Sequence, residues 1–322
     1  MEVEIIKYHE NLQKIWDDFI PKTANGTFLH LRKYMDYHSD RFDDYSLMFY
    51  NGARLIGVLP AHKIQRDIYS HNGLTYGDFL FSDKIKLEVK IQILKTAFLY
   101  LIKNNFKFLH IKSIPYVFQN FMGQDNAFLY YKFDAKLTKI LPFFVLDKAT
   151  YKLSQIRKKS INRTKNWNLK IEQNKDFLPD FWHIVEDNLS NRYKAKPVHS
   201  LGEMRLLMNR FSENIKLYTI FLDNELISGA LVYLFKNTLH FQYVHSIENN
   251  KKRMATDVMI NEIIKQNIDN YNFISIGSSE VGDGQINKGL GYWKESFGSK
   301  LINQYFYSFD LQNIDVDKQI LV

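Results

Sequence analysis

The chain has 322 residues, 45% hydrophobic and 24% charged, with a formal net charge of +8 and no cysteine. That length fits two domains of about 150 residues each, and the balance is that of an ordinary globular protein. Disulfides, thiolate metal sites and a cysteine nucleophile are excluded, and the histidines show no metal-ligand spacing, so no metal is expected. The positive balance is compatible with an anionic partner such as a nucleotide, a phosphorylated lipid or RNA. Met1 to Lys7 lacks the layout of a signal peptide, and no apolar run approaches the ~20 residues of a membrane helix. The expectation is a cytoplasmic protein whose oligomeric state is open.

Glu2 to Tyr8 alternates as a strand. Asn11 to Ile20 puts Leu12, Ile15, Trp16 and Phe19 on one helical face, with Pro21 as the stop. Thr27 to His38 is a second helical candidate. Tyr45–Tyr50 and Arg54–Lys63 read as strands joined at Asn51-Gly52, a hairpin signal, with Pro60 marking an edge or a bulge. Tyr69 to Phe81 is rich in glycine and aromatics, where a backbone or a ligand could approach closely. Lys84–Lys103 is a long amphipathic helix and Phe108–Lys112 a short strand.

Lys136 to Asp147 reads as an apolar strand. The next segment, Tyr151 to Lys165, carries Arg157, Lys158, Lys159, Arg163 and Lys165 with no acid. It reads as a helix at a domain junction, with the boundary near Thr150. Asn168–Gln173 is the first strand of the second half. Helices follow at Asp176–Ser190 and Ser200–Phe211, the latter opened by a capping box of Ser200 and Glu203. Lys216–Leu222 and Glu225–Phe235 form a second hairpin about Asp223-Asn224. After the strand Leu239–His245 come the basic turn at 249–253, a helix from about Met254 to Ile268, and the strand Phe273–Ile276. A glycine-rich turn, a short helix and the terminal strand Leu301–Leu311 complete the chain.

Strand, helix and parallel strand make a crossover unit whose turns lie at one sheet edge. The start of its helix leaves amide N–H groups unpaired, and the preceding cations favour an anion there.

This stretch resembles the second half of a GNAT acyltransferase domain, in the Fem-type subgroup where two such domains are fused. The residues that carry the likeness are Phe241-Gln-Tyr243, Lys252-Arg-Met-Ala-Thr-Asp257, Ile276-Gly-Ser-Ser-Glu280, and Asn287-Lys-Gly-Leu-Gly291 with Phe297-Gly298. Lys196-Pro-Val-His199 and Gly73-Leu-Thr-Tyr-Gly77 fit as well. The resemblance implies an α/β fold of two tandem GNAT-like domains, 1–150 and 151–322, each a mixed sheet flanked by helices. The first is expected to be degenerate and to shape the acceptor cleft; the second would carry the chemistry.

What the resemblance further implies is an acyl donor, acyl-CoA or specifically acetyl-CoA, with its pantetheine arm where two parallel strands splay apart. The donor's pyrophosphate would meet the helix start at Asn250, Lys252, Arg253, Met254, Ala255 and Thr256. The family's loop pattern falls on Asn250 to Ala255, where Ala255 alone fits and Arg253 replaces a glycine. The catalytic candidates are Glu280, Tyr292 and His199. Glu280 would be the base or hold the acceptor amine, Tyr292 would protonate the leaving thiolate, and His199 would read a hydroxyl or a phosphate. Against these stand a turn carboxylate, a core aromatic and a loop histidine. His245, Asp283 and Tyr76 are candidates for contact with the acceptor, and Lys288 for contact with the donor phosphate or the acceptor.

Three readings follow. The first is an N-acyltransferase acting from acyl-CoA on a small-molecule or lipid-linked amine, such as an amino sugar of surface polysaccharide. The second is a Fem-type aminoacyltransferase using aminoacyl-tRNA, gripped by the basic run Arg157–Lys165, with a peptidoglycan-like acceptor. The third is a binding protein that kept the fold.

Overall fold

The structure is a computed structural model that describes residues 2–121, 123–247, 250–282 and 284–321, without the side chains of residues 192, 193 and 250–252. It divides into two compact units, residues 1–141 with 303–322, and residues 142–302.

The first unit opens with β1 (Glu4–Lys7), α1 (Gln13–Phe19), α2 (Arg32–Met35), β2 (Asp43–Asp44), β3 (Leu47–Asn51), β4 (Arg54–Leu59), β5 (His62–Ile64), β6 (Asp67–Tyr69) and β7 (Leu80–Phe81). It continues through α3 (Leu87–Lys103), β8 (Phe108–Lys112), α4 (Asp125–Lys132) and the start of β9 (Lys136–Leu146). Strands β1-β3-β4-β7 form one sheet. The turn between β3 and β4 uses Gly52 at φ +56, the left-handed conformation that glycine adopts without steric cost. Between residues 27 and 38 the expected helix is broken, because Leu31 is extended (φ −69, ψ 139) and caps α2. The core joins Leu47, Phe49, Phe79, Phe81, Phe98, Leu109 and Tyr130.

The second unit holds α5 (Gln155–Asn162), β10 (Leu169–Gln173), α6 (Leu178–Tyr193), α7 (Leu201–Arg210), β11 (Ile215–Leu222), β12 (Glu225–Leu234), β13 (Thr238–Ser246), α8 (Asn250–Asn267), β14 (Phe273–Ser278) and α9 (Lys288–Glu295). Its strand order is β10-β11-β12-β13-β14-β9. All neighbours are antiparallel except β13 and β14, which run parallel across the α8 crossover. Helix α8 buries Ala255, Met259, Ile260, Ile263 and Ile264 against Leu239, Phe241, Ile274 and Ile276. On the other side of the sheet α6 packs so closely that a methyl on Gly229 of β12 would stand 2.4 Å from the Phe181 ring. Ser200 accepts a hydrogen bond from the Glu203 amide, and Glu203 accepts one from the Ser200 amide, completing the capping box of α7.

The last strand, β15 (Lys300–Asp310), belongs to the first unit from Asn303 onward. Its residues Phe306–Asp310 pair antiparallel with β8, and Phe309 and Leu311 share one core with Ile111 of that strand. The division therefore differs from 1–150 and 151–322: it falls at 141/142, and burial of Phe309 and Leu311 returns the C-terminal segment to the first unit.

Candidate active site

Strands β13 and β14 are in register from Thr238 opposite Phe273 to His240 opposite Ser275, and no further among the described residues. Both strands bulge at that level. On β13 the pairing with β12 slips between Leu231 and Val232, whose partners are Tyr243 and Phe241, so Gln242 is the extra residue. On β14 the pairing with β9 slips between Ser275 and Ser278, and Gly277 adopts φ +73. A bulge bends its strand and re-aims side chains. Each of the two adjacent strands therefore carries a bulge just beyond the point where their mutual pairing ends, at His240 and Ser275.

Three groups surround the Gly277 bulge. A Cβ there would lie 3.6 Å from the Phe241 carbonyl oxygen, 3.7 Å from His240 Cε1 and 3.9 Å from Lys294 Nζ. Lys294 comes from α9 and is 4% exposed, and its ammonium donates to the Ser278 carbonyl. Burial pushes its pKa down to about 7, which leaves part of the population neutral near neutral pH. His240 is buried beside it, and burial followed by the Lys294 charge lowers its pKa to about 3. The imidazole Nδ1 lies 3.0 Å from Ser275 Oγ. Gln242 is hydrogen-bonded to the His240 imidazole, which opposes the lowering of its pKa, and Ser279 Oγ is buried with no hydrogen-bond partner among the described residues.

Helix α9 is fixed by a buried network. Trp293 Nε1 donates to Asp257 Oδ1 at 2.9 Å, and Ser160 Oγ donates to Asp257 Oδ2 at 2.7 Å. Arg157 forms an ion pair with the same carboxylate, with both side chains under a tenth exposed, and its Nε donates to Ser296 Oγ at 2.9 Å. Arg157 thus belongs to the interior, while Lys158, Lys159, Arg163 and Lys165 of the same basic run are exposed.

The expected site residues fall in several places. His199 is buried, with Nδ1 2.8 Å from the Tyr243 hydroxyl; Tyr243 in turn stands 6.2 Å, ring to ring, from His245. Those two histidines are therefore gathered about one tyrosine on β13. Glu280 is half-buried and accepts from the Gly284 amide at 3.0 Å, so its carboxylate closes its own turn. Tyr292 and Lys288 on α9 are exposed. Tyr76 lies in the first unit, fully buried with its hydroxyl 3.5 Å from Thr27 Oγ1.

Helix α8 begins at Asn250, four residues before the expected start. The amides left without helical acceptors therefore belong to its first turn, and those of Met254, Ala255 and Thr256 lie inside the helix. Ala255 and Thr256 are buried, with Thr256 Oγ1 donating to Ser228 Oγ at 2.9 Å, Met254 is half-buried, and Arg253 is exposed. Asp283 and the side chains of Asn250 and Lys252 lie outside the described residues.

Sequence reasoning missed Lys294, His240, Gln242 and Asp257. A buried lysine or aspartate looks like a surface charge until its neighbours are known. The one available signal was helical spacing, which sets Lys294 of the Gly291-Tyr-Trp-Lys294 segment on the buried side of α9 with Gly291.

Among the described residues no helix is long and apolar enough to cross a membrane, and no group of three or more His, Asp or Glu could hold a metal ion. Residues 148–274 match the family model of an acetyltransferase (GNAT) domain. No curated protein matches the chain. Solved structures with a similar fold include FemX, at 11% identity and TM-score 0.68 over 95% of this chain and 97% of that one. L-PGS from Bacillus licheniformis is similar at 11% identity and TM-score 0.61, covering 94% and 92%. A tandem GNAT protein from the clavulanic acid biosynthesis pathway is similar at 11% identity and TM-score 0.52, covering 96% and 99%. Residues 148–274 thus match a GNAT acetyltransferase domain, and the chain as a whole has the Fem-type tandem fold seen in these structures.

Proposed function

We propose that the chain is an N-acyltransferase that moves an acyl group from acyl-CoA to a primary amine in the gap between β13 and β14. The observation that carries this reading is the pair of bulges on these adjacent strands with Lys294 buried beside them. Attack of an amine on a thioester carbonyl needs a proton acceptor and, after the C–S bond breaks, a proton donor for the thiolate. Lys294 suits both tasks, because its pKa of about 7 lets one nitrogen take the proton and return it. Register between β13 and β14 ends at His240, and the β13 backbone just beyond it would hold the donor's amide-bearing arm or the carbonyl oxygen as it gains charge. His199, Tyr243 and His245 line the adjoining stretch of β13 and are the candidates for reading the acceptor. An amino sugar of envelope polysaccharide, made in the cytoplasm, is the acceptor class we favour.

A second reading is aminoacyl transfer from aminoacyl-tRNA, with a peptidoglycan-like or lipid-linked acceptor. It is favoured by the likeness to FemX and L-PGS over more than nine-tenths of the chain. Exposed Lys158, Lys159, Arg163 and Lys165 supply a cationic face for it.

Thermal unfolding with added acetyl-CoA separates the two. Donor at a hundredfold its dissociation constant stabilises the fold by about 2.7 kcal/mol. A shift with acetyl-CoA supports the first reading. No shift, together with tRNA co-purifying with the protein, would replace it by the second.

A further inference from the structure

We propose that Asp257 is a positioning residue for acyl transfer: through Trp293 it fixes the place of Lys294 beside the Gly277 bulge. This rests on the reading of Lys294 as the proton carrier.

The case begins with what holds α9. Eight residues give a helix little stability of its own, so its placement depends on tertiary contacts. Trp293, next in sequence to Lys294, donates its indole N–H to Asp257. The Asp257 carboxylate is loaded from three directions, by Trp293, by Ser160 and by Arg157. The Arg157 guanidinium also reaches Ser296 and lies 4.9 Å from the centre of the Phe297 ring. The network thus grips α9 and the residues just after it, on either side of Lys294.

Such a clamp is more than the fold requires. A buried ion pair of this kind contributes little net stability compared with apolar side chains of the same volume. What it does supply is direction, since the indole N–H, the Ser160 hydroxyl and the Arg157 guanidinium all meet one carboxylate on α8. With Trp293 held against α8, the next side chain is delivered to the Ser278 carbonyl on β14, where His240 is the titratable neighbour on β13. If the clamp loosens, Lys294 gains access to water and its pKa returns toward that of an ordinary lysine.

The test is Trp293→Phe, which keeps the ring and removes the N–H, with Asp257→Asn as a second variant. Lys294 is followed through its 13Cε resonance, assigned with Lys294→Arg, as pH is varied. The proposal expects the Lys294 titration to move up by about one pH unit or more in both variants. It expects kcat to fall about tenfold to a hundredfold, with KM for the donor within about twofold. An unchanged titration in Trp293→Phe overturns the proposal whatever happens to kcat. If Asp257→Asn fails to fold, Trp293→Phe alone decides. Full activity in Lys294→Arg would remove the proton-carrier reading, and the titration would still report whether Asp257 places the side chain.

Discussion

The Lys294 ammonium and the His240 imidazole share the space around Gly277, 3.9 and 3.7 Å from where a Cβ would stand. Two basic groups in one buried gap cannot both carry charge cheaply, and the stronger base keeps the proton. His240 is therefore neutral across the working pH range, and Lys294 is the group that titrates. Lys294→Gln is expected to lower kcat by about 10²–10⁴-fold, the usual size of a general-base contribution. In the parent enzyme, activity should rise with pH through about 7, as Lys294 loses its proton. A pH–rate profile with no inflection between pH 6 and 8 would count against it.

The same lysine carries a folding cost, because a charged group sits in the interior with a carbonyl as its acceptor. Lys294→Met should leave the urea midpoint unchanged or raise it, while abolishing transfer. Loss of both stability and activity would assign Lys294 a structural role instead.

Acid should unfold this protein early. His30 and His62 are buried with pKa values lowered to about 4, mainly by desolvation, and His71 lies well below its ordinary value for the same reason. Their neighbours divide: the charges of Asp44 and Asp43 oppose the shift at His62, while His38, His62, Arg32 and His30 deepen it at His71. Both ring nitrogens of His62 and Nδ1 of His71 lack hydrogen-bond partners among the described residues. Since the folded values lie below the unfolded value of about 6.5, the unfolded chain binds protons first. The stability these groups contribute is complete above about pH 6.5 and is lost as pH falls toward 4. Melting temperature recorded from pH 7.5 to 4.5 should drop steeply over that interval, and His62→Phe should flatten the drop.

Gly229 leaves no space for a side chain. A Cβ would meet three atoms of the Phe181 ring at 2.4 to 2.9 Å. Gly229→Ala is expected to destabilise the second unit by about 1–3 kcal/mol through overpacking. Equilibrium urea unfolding checks this, and Phe181→Leu in the same chain should recover part of the loss.

Local signals in the sequence carried much of the fold. Asp223 and Asn224 take φ +50 and +68, the left-handed pair that a two-residue hairpin needs, and the Ser200–Glu203 box forms as spaced. Phe108–Lys112 is a strand with those ends. Where the reading slipped, a nonlocal force was at work. The first turn of α8 is a run of polar residues with no apolar period, so periodicity placed its start at Met254 instead of Asn250. Helix α4, Asp125–Lys132, went unseen because its apolar residues Leu129 and Tyr130 matter only against the first unit's core. The site itself rests on two register slips, and register is a property of strand pairs that no single segment encodes.

A ribosome completes every strand and helix of residues 142–302 before the residues that give the first unit its last strand emerge. Until then β8 has an open edge, and the first unit's core lacks Phe309. The unit synthesised first is finished last, so nascent chains stalled before residue 303 should carry a sticky, protease-sensitive N-terminal half behind a C-terminal half that is already sound.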